Sequence, residues 1–391
     1  MTRPRIPYAS RMRSSLLMPL AATLLARSGA GAGASPRPAS DVYDVTHYGA
    51  VGDGKTYDTV AIRKAAAALL AGKRGGTLLF PAGGPGKTYL TGAFNLSSNT
   101  HVEIEAGATI LGSTRGDDWP LVVARTVWPQ MGHGSDCPPG TESCRLMHQA
   151  LVFGWGQTNV SLSGGGALDC NAQKDTWWSC ARDLAKPPCS GYGRPHCLML
   201  SNVSDVEVSH LHVSNSPDWT LHFSSVTRLH VHHMNVTNPD EPNADGLDID
   251  STQDALIEDN HFDVGDDALC VKSGIDWFGR QYGRPAKNIL FRRNTVGRGH
   301  GITIGSEMSG GVSNVTFEDI TMDNTGTGVR LKSERGRGNI VADVIYRRIH
   351  MKEIAGQCVQ VTLNYGKGLK PTNKTATPIF VRRLLNSVSD I

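Results

Sequence analysis

The chain has 391 residues, of which 19% are charged, 6% are aromatic and 44 are glycine. This composition excludes a disordered chain and argues against a helical bundle, and it is typical of a turn-rich β protein. The net charge of +3 comes from the N-terminus, because residues 1–34 contain five arginines and no acid, which leaves −2 for the rest. The sequence therefore gives no electrostatic support for a nucleic-acid partner.

The N-terminus predicts a signal peptide. Four arginines precede the apolar segment SLLMPLAATLLA (residues 15–26), and small residues follow as far as Ala34. This order is typical of a secretory leader, and the apolar segment is too short to cross a membrane. We therefore expect residues 1–34 to be removed and the protein to be secreted to the extracellular space or the cell wall, with no membrane partner.

The cysteines agree with secretion. Six of the eight lie between residues 137 and 197, and none forms a C-x-x-C pair. Disulfides are therefore a better interpretation than a zinc site, and their pairing cannot be read from the sequence. Six N-x-S/T sequons add the expectation of a glycoprotein.

Two segments precede the regular part of the chain. Residues 58–73 predict a helix, because Asp58 or Thr59 is a suitable N-cap and an alanine-rich run follows. Residues 113–198 contain most of the cysteines and few regular strands, so we expect a loop excursion that forms one wall of a cleft.

From residue 206 onward, a pattern of two short strands separated by a two-residue bend recurs at intervals of 23 to 34 residues. The first copy places apolar residues at Val206, Val208, Leu211 and Val213. Later copies begin at Leu229, Ala255, Ile289, Val315 and Val344, and a weaker one begins earlier, at Val160. Asn260 and Asn294 occupy the third position of their copies, where they suit an inward ladder of side chains or a tight bend.

Strands this short bury an apolar face only when successive coils stack. We therefore expect one all-β domain over residues 42–391, a right-handed parallel β-helix whose N-terminal end is capped by the predicted helix. The coil that begins at Ile379 is expected to be truncated or aberrant. A β-sandwich or propeller fits less well, because the spacing is long for single strands and blade signatures are missing.

Acidic residues are crowded in residues 243–274, which hold nine carboxylates. Asp245 and Asp266 are 21 residues apart, close to one coil, and equivalent positions of neighbouring coils lie about 4.8 Å apart. His300 falls on the next coil, and Arg330 with Lys332 on the one after. This spacing predicts a row of acids, an imidazole and two cations on one solvent-facing side.

Such a row suits acid–base chemistry. Crowding raises the pKa of at least one carboxyl, which can then donate a proton, while an ionised neighbour activates water. Paired carboxylates are the machinery of glycoside hydrolysis, and adjacent cations favour an anionic sugar.

Four motifs in this row resemble those of polygalacturonase-type pectinases of glycoside hydrolase family 28. The family carries N-T-D, G/Q-D-D, G-H-G and R-[IL]-K along a right-handed β-helix. The matching segments are Asn243-Ala244-Asp245, Gly265-Asp266-Asp267, Gly299-His300-Gly301 and Arg330-Leu331-Lys332. Ala244 replaces the usual threonine, and the resemblance extends over about residues 42–381.

The resemblance implies hydrolysis of α-1,4-galacturonosyl linkages in pectin with inversion, by a monomer without metal or cofactor. It implies that Asp266 is the general acid, that Asp245 and Asp267 activate water, and that His300 supports the acid. The substrate-binding residues that it implies are Arg330, Lys332, Asn243 and Tyr365. Neighbouring-coil acids could lie closer than the ~6.5–9.5 Å usual for inverting enzymes.

Two segments favour attack at chain ends. GIDWFGRQYGRPAKN (residues 274–288) and GSEMSGG (residues 305–311) resemble exo-acting members, in which a longer loop blocks one end of the cleft. Three alternatives stay open: a rhamnogalacturonan or xylogalacturonan hydrolase, a calcium-dependent pectate lyase, and a non-catalytic polysaccharide-binding β-helix.

Overall fold

The computed structural model describes residues 41–84, 86–123, 146–238, 241–365 and 379–380. The predicted signal peptide, Cys137 and Cys144 lie outside these residues. The described chain is a right-handed parallel β-helix, as predicted, with three ladders of parallel strands running along its length.

The strands are grouped here by ladder. Ladder 1 contains Val42–Asp44, Gly76–Phe80, Thr100–Ile104, Thr158–Ser163, Ser204–Ser209, Thr227–His232, Gln253–Glu258, Ala286–Arg292, Val312–Asp323, Ile340–Lys352 and Ile379–Phe380. Ladder 2 contains Asp53–Tyr57, Lys87–Thr91, Ala108–Gly112, Ala167–Asp169, His212–Ser214, Asn235–Asn238, His261–Val264 and Thr295–Val296, and then merges into the two long strands of ladder 1. Ladder 3 contains Phe94–Asn95, Val152–Trp155, Leu198–Ser201, Leu221–Ser224, Leu247–Asp250, Asp267–Lys272, His300–Ile304, Thr327–Lys332 and Val359–Thr362.

The core consists of the repeated apolar positions. Val208 pairs in register with Val231, which pairs with Ile257, and the column continues into Phe291 and Phe317. These side chains are all buried, so the repeat pattern is confirmed. Aromatic rings of the last coils stack face to face, with 4.5 Å between the ring centroids of Phe291 and Phe317.

The predicted asparagine ladder is also present. Asn260 Nδ2 donates to Asn294 Oδ1 at 2.9 Å, and Asn260 Oδ1 accepts from the Met234 amide at 2.9 Å. These bonds satisfy backbone groups that the bend would otherwise leave unpaired inside the coil.

The bend between ladders 1 and 2 has a fixed geometry. Its second residue has a positive φ of 53–57° at His210, His233, Asp259 and Arg293. A single left-handed residue reverses the side-chain alternation and turns the chain onto the next ladder. Side chains of these residues therefore stack along one outer edge.

The helix Thr59–Gly72 packs on the first coil and buries Ala61, Ile62, Ala65 and Leu69. Asp58 is the N-cap residue, but its carboxylate accepts from the amides of Val51 and Gly52 instead of capping the helix. The second helix is Asp276–Tyr282. Of the helices in the described segments, none is long and apolar enough to span a membrane.

The prediction of a loop excursion over residues 113–198 is partly wrong. Residues 152–169 form a coil in register with all three ladders, and this coil contains the weaker copy predicted from Val160. Leu121–Val123 pairs antiparallel with Leu146–His148. Irregular chain does follow, and disulfides Cys170–Cys197 and Cys180–Cys189 close it.

Candidate active site

Three carboxylates meet where ladder 3 strands begin. Asp245 precedes the strand Leu247–Asp250, and Asp266 and Asp267 stand at the start of the neighbouring strand Asp267–Lys272. One carboxylate oxygen of each residue lies within 4.8 Å of the others. The stacking of coils thus brings together the acids that the sequence predicted.

The three acids differ in exposure. The side chain of Asp266 is 26% exposed, whereas those of Asp245 and Asp267 are 4% and 1% exposed. Burial, and then the negative charges of Asp248 and Asp266, raise the pKa of Asp245 well above its ordinary value. A crowded carboxyl with a raised pKa is therefore present, and it is Asp245, to which the family resemblance assigns water activation and not proton donation.

Asp267 is the anchor of the group. Its oxygens meet Arg330 Nη1 at 2.8 Å and Lys332 Nζ at 2.7 Å, and Thr303 Oγ1 donates at 2.8 Å. Burial raises the pKa of Asp267, but Lys332, Lys272 and Arg330 outweigh it and hold the pKa below its ordinary value. Asp267 is thus a stable anion inside the site.

Arg330 and Lys332 point to the same side of their strand, and Leu331 between them points into the core, as predicted. They do not stand free in the solvent-facing row that the sequence suggested. Both side chains reach across the strand His300–Ile304 to Asp267, and they are only 9% and 5% exposed. A buried anion attracts the cations more strongly than water hydrates them at this edge.

His300 lies beside Asp266. Its Nε2 is 3.9 Å from Asp266 Oδ1, and its ring is 37% exposed. Burial, and then the positive charge of Arg330, lowers the pKa of His300. A neutral His300 ring can form a hydrogen bond with the half-buried carboxyl of Asp266 without placing a positive charge beside it.

The two remaining predicted residues flank the group. The amide oxygen of Asn243 accepts from Arg194 Nη2 at 2.7 Å, so Arg194 fixes its orientation. Tyr365 is 37% exposed, and its ring lies 4.8 Å from Lys332 Nζ. Both residues therefore border the acids and cations.

Comparison with known proteins agrees with this geometry. The model of the family described as "Glycosyl hydrolases family 28" matches residues 142–386. The chain belongs to this family.

Several relatives are similar to this family 28 chain. It is 34% identical over 325 residues to a "Probable polygalacturonase" of Vitis vinifera, and the match covers 82% of this chain and 62% of that protein. For a "Polygalacturonase" of Juniperus ashei the identity is 27% over 319 residues, with coverages of 79% and 54%. A solved exopolygalacturonase from Thermotoga maritima has 26% identity and a TM-score of 0.71, covering 84% of this chain and 77% of that one. The chain thus spans just over half the length of the first two relatives.

Sequence reasoning missed a buried lysine of this family 28 site. Lys272 Nζ lies 3.8 Å from Asp245 Oδ2, 3.5 Å from Asp248 Oδ1 and 3.2 Å from Glu307 Oε2. It also lies 4.5 Å from the centre of the Trp219 ring. Burial lowers the pKa of Lys272, but Cys270 and the surrounding acids raise it well above its ordinary value.

One signal could have revealed this lysine. The strand Asp267–Lys272 is buried throughout, and a lysine in such a strand requires acidic partners. Asp250 pairs in register with Lys272 on the previous coil, and Asp248 lies two residues before Asp250. Asp248 Oδ1 lies 3.5 Å from Lys272 Nζ, yet burial raises the pKa of Asp248 well above its ordinary value despite this cation.

A second buried acid lies near the site. Asp218 is 1% exposed, and its Oδ2 is 3.7 Å from Arg194 Nη2. Burial raises the pKa of Asp218 to about 6, although Arg194 opposes the shift. The negative charge of Asp266 adds to the shift.

The two segments that resemble exo-acting members form one ion-paired wall. Arg337 Nη1 donates to Asp276 Oδ1 at 2.6 Å, and Arg337 Nη2 lies 4.0 Å from Glu307 Oε1. Glu307 belongs to the segment of residues 305–311, and Asp276 begins the helix Asp276–Tyr282. Because Glu307 also pairs with Lys272, the wall is in direct contact with the acid group.

Proposed function

We propose that this chain hydrolyses α-1,4-galacturonosyl linkages of pectin or polygalacturonan. The observation that carries the proposal is the convergence of three carboxylates on a two-cation anchor, in a chain whose family relatives are named polygalacturonases. Carboxylates supply acid and base, and cations suit a substrate that bears a carboxylate on every sugar.

Asp266 is proposed as the general acid. It is the member of the trio with an exposed side chain, and a proton donor must reach the glycosidic oxygen of a bound polymer. His300 lies beside it and holds its hydrogen-bond environment. Asp245 and Asp267 are proposed to activate the attacking water, with Asp267 supplying the fixed negative charge that Arg330 and Lys332 maintain.

Arg330 and Lys332 are proposed to bind the galacturonate carboxylate at the cleavage position. Arg330 and Lys332 carry two positive charges and both pair with the single negative charge of Asp267. One positive charge is therefore left to attract the carboxylate of the substrate. Tyr365 lies against Lys332 and offers a ring face to the same sugar. Asn243, held by Arg194, is proposed as a further contact to the substrate.

Exo action is the finer part of the proposal. The wall built by Asp276, Arg337 and Glu307 stands at one side of the acids, and the Thermotoga maritima relative is named an exopolygalacturonase. A closed end of the cleft would admit only a chain terminus. Secretion is proposed from the N-terminal pattern and from the two disulfides.

Inversion is proposed from the family resemblance. The carboxylate oxygens lie within 4.8 Å, which is closer than the ~6.5–9.5 Å that separates the carboxyl groups of typical inverting enzymes. The rule therefore does not decide the stereochemistry here. Proton NMR of the product anomer in the first minutes of reaction does.

The test of the whole proposal is to incubate the purified protein with polygalacturonic acid and to size the early products. Monomer alone supports exo action, and mixed oligomers mean endo action. No product from this polymer, with release from xylogalacturonan or rhamnogalacturonan, moves the assignment to those substrates. An absorbance rise from unsaturated product that a chelator abolishes would mean a lyase and contradict hydrolysis.

A further inference from the structure

Histidines are concentrated on the outer edge where ladder 1 turns into ladder 2. Six of the 14 histidines of the chain lie in residues 210–233, and three of them meet at one bend. His210 is the left-handed bend residue of one coil, and His233 is its equivalent on the next. His232 directly precedes His233. The active site lies elsewhere, at the start of ladder 3.

The three rings lie within reach of a single ion. One ring nitrogen of each residue lies within 4.8 Å of the other two. The Nδ1 atoms of His232 and His233 are 2.9 Å apart. The ring of His210 stacks on that of His233 with 4.8 Å between centroids, and the ring of His232 stands edge-on to both.

These distances suit a transition metal. Imidazole nitrogens bind Zn²⁺ at about 2.0–2.1 Å, so two ligands of one ion lie roughly 3 Å apart. A histidine ligand usually donates its other ring N–H to a carboxylate, which orients the ring. His232 has this arrangement, because its Nε2 lies 3.3 Å from Glu207 Oε1.

We propose that His210, His232 and His233 form a binding site for a divalent transition-metal ion such as Zn²⁺, with Glu207 orienting His232. The ion ties two neighbouring coils together, since His210 belongs to one coil and the other two ligands to the next. The exposed ring of His210 rotates out of its stack to direct a lone pair at the ion, a motion that surface side chains make readily. Water completes the coordination.

The cluster has no recognisable spacing in the sequence, because its ligands come from different coils. Zinc motifs built from C-x-x-C pairs are missing from the chain, so a search for cysteine ligands does not find it. The next coil places Asp259 at the same bend position, but two hydrogen bonds occupy its carboxylate with Arg293. Three imidazoles are therefore the ligands that this edge offers.

The experiment uses the full chain without a polyhistidine tag, stripped with EDTA and titrated with ZnCl₂ at pH 7.5 by calorimetry. We expect one equivalent of Zn²⁺ to bind and the melting temperature to rise with free Zn²⁺, because the ion binds only the folded state. His233→Ala should abolish this binding, and Glu207→Gln should weaken it about 10–100-fold.

His261→Ala is the matched control, since His261 is exposed on the next coil and bonds Thr295 instead of the cluster. It should bind Zn²⁺ like the wild type. Melting in EDTA reports whether each variant folds, and His210→Ala provides a second ligand variant at an exposed position. The proposal is overturned if the wild type does not bind, if binding survives both ligand substitutions, or if His261→Ala loses it equally.

Discussion

Acidic and basic side chains stack at one-coil spacing in two regions of the β-helix, the outer edge between ladders 1 and 2 and the start of ladder 3. The pKa shifts of acids in the two regions have opposite directions. On the outer edge, Asp259 meets Arg293 and Asp319 meets Arg348, and both pairs are partly exposed. Hydrogen bonds from these arginines lower the pKa of both acids. At the start of ladder 3, Asp245 is buried and has a raised pKa.

The difference lies in burial and in the ratio of charges. Outside, the acids Glu258 and Asp259 face two guanidiniums, those of Arg292 and Arg293, so the charges balance. Inside, Lys272 is the ammonium that Asp245, Asp248 and Glu307 have in common, and Arg337 also faces Glu307 at 4.0 Å. Burial penalises charge at Asp245 and Asp248, where one ammonium faces two acids, so the same repeat yields charge-balanced ion pairs at the surface and carboxyls with raised pKa values inside.

The largest effect on stability is expected at Lys272. Lys272→Met leaves the buried carboxylates of Asp245, Asp248 and Glu307 without the cation that they share. Removing one partner of a buried ion pair lowers the free energy of unfolding by about 3–5 kcal/mol, and we expect a loss of this size. Urea unfolding measures the loss. Lys287→Met, at an exposed position of ladder 1, is the control and should unfold like the wild type. Equal stability of the two variants would contradict the account.

The second prediction concerns the sign of the pH dependence at Asp218. Its folded pKa of about 6 exceeds its ordinary value of 3.8, so its contribution to stability is complete below about pH 3.8 and is lost as the pH rises through 6. Asp218→Asn removes this dependence, worth at most about 3 kcal/mol. The stability of the variant relative to wild type should therefore increase between pH 4 and pH 7.

Asp259→Asn should show the opposite slope. The pKa of Asp259 is lowered, first by its hydrogen bonds with Arg293, so the acid contributes stability above its ordinary pKa and loses it as the pH falls. Because this loss falls below about pH 3.8, unfolding of Asp259→Asn and wild type is compared between pH 7 and about pH 3, and that of Asp218→Asn between pH 4 and pH 7. Slopes of the same sign would mean that burial does not separate them.

The smallest effect is expected at the outer edge at neutral pH. Asp259→Asn breaks a partly exposed pair with Arg293 and should lower the free energy of unfolding by about 1 kcal/mol or less. Asparagine also tolerates the left-handed backbone of this position. A loss as large as that of Lys272→Met, measured by the same urea unfolding, would show that the outer ladder is a main source of stability.

The sequence predicts the coils well because their apolar positions repeat and face inward. The same spacing predicts that Asp245, Asp266 and Asp267 converge. It does not predict Lys272 or Glu307, because their roles depend on which side chains become buried together. The cluster of His210, His232 and His233 cannot be predicted from the sequence for a related reason. Its members follow no motif, and they meet only because two bends stack.

We propose that coil stacking makes the acids at the start of ladder 3 catalytic and leaves those of the outer edge inert. Asp266 and Asp259 lie on the same coil, one beside His300 and the other beside Arg293. The direct measurement is the rate of reducing-end release from polygalacturonic acid by Asp266→Asn and Asp259→Asn. We expect the rate to fall at least about 100-fold in Asp266→Asn and to stay near the wild-type rate in Asp259→Asn. Retained activity in Asp266→Asn, with its fold intact, would contradict it.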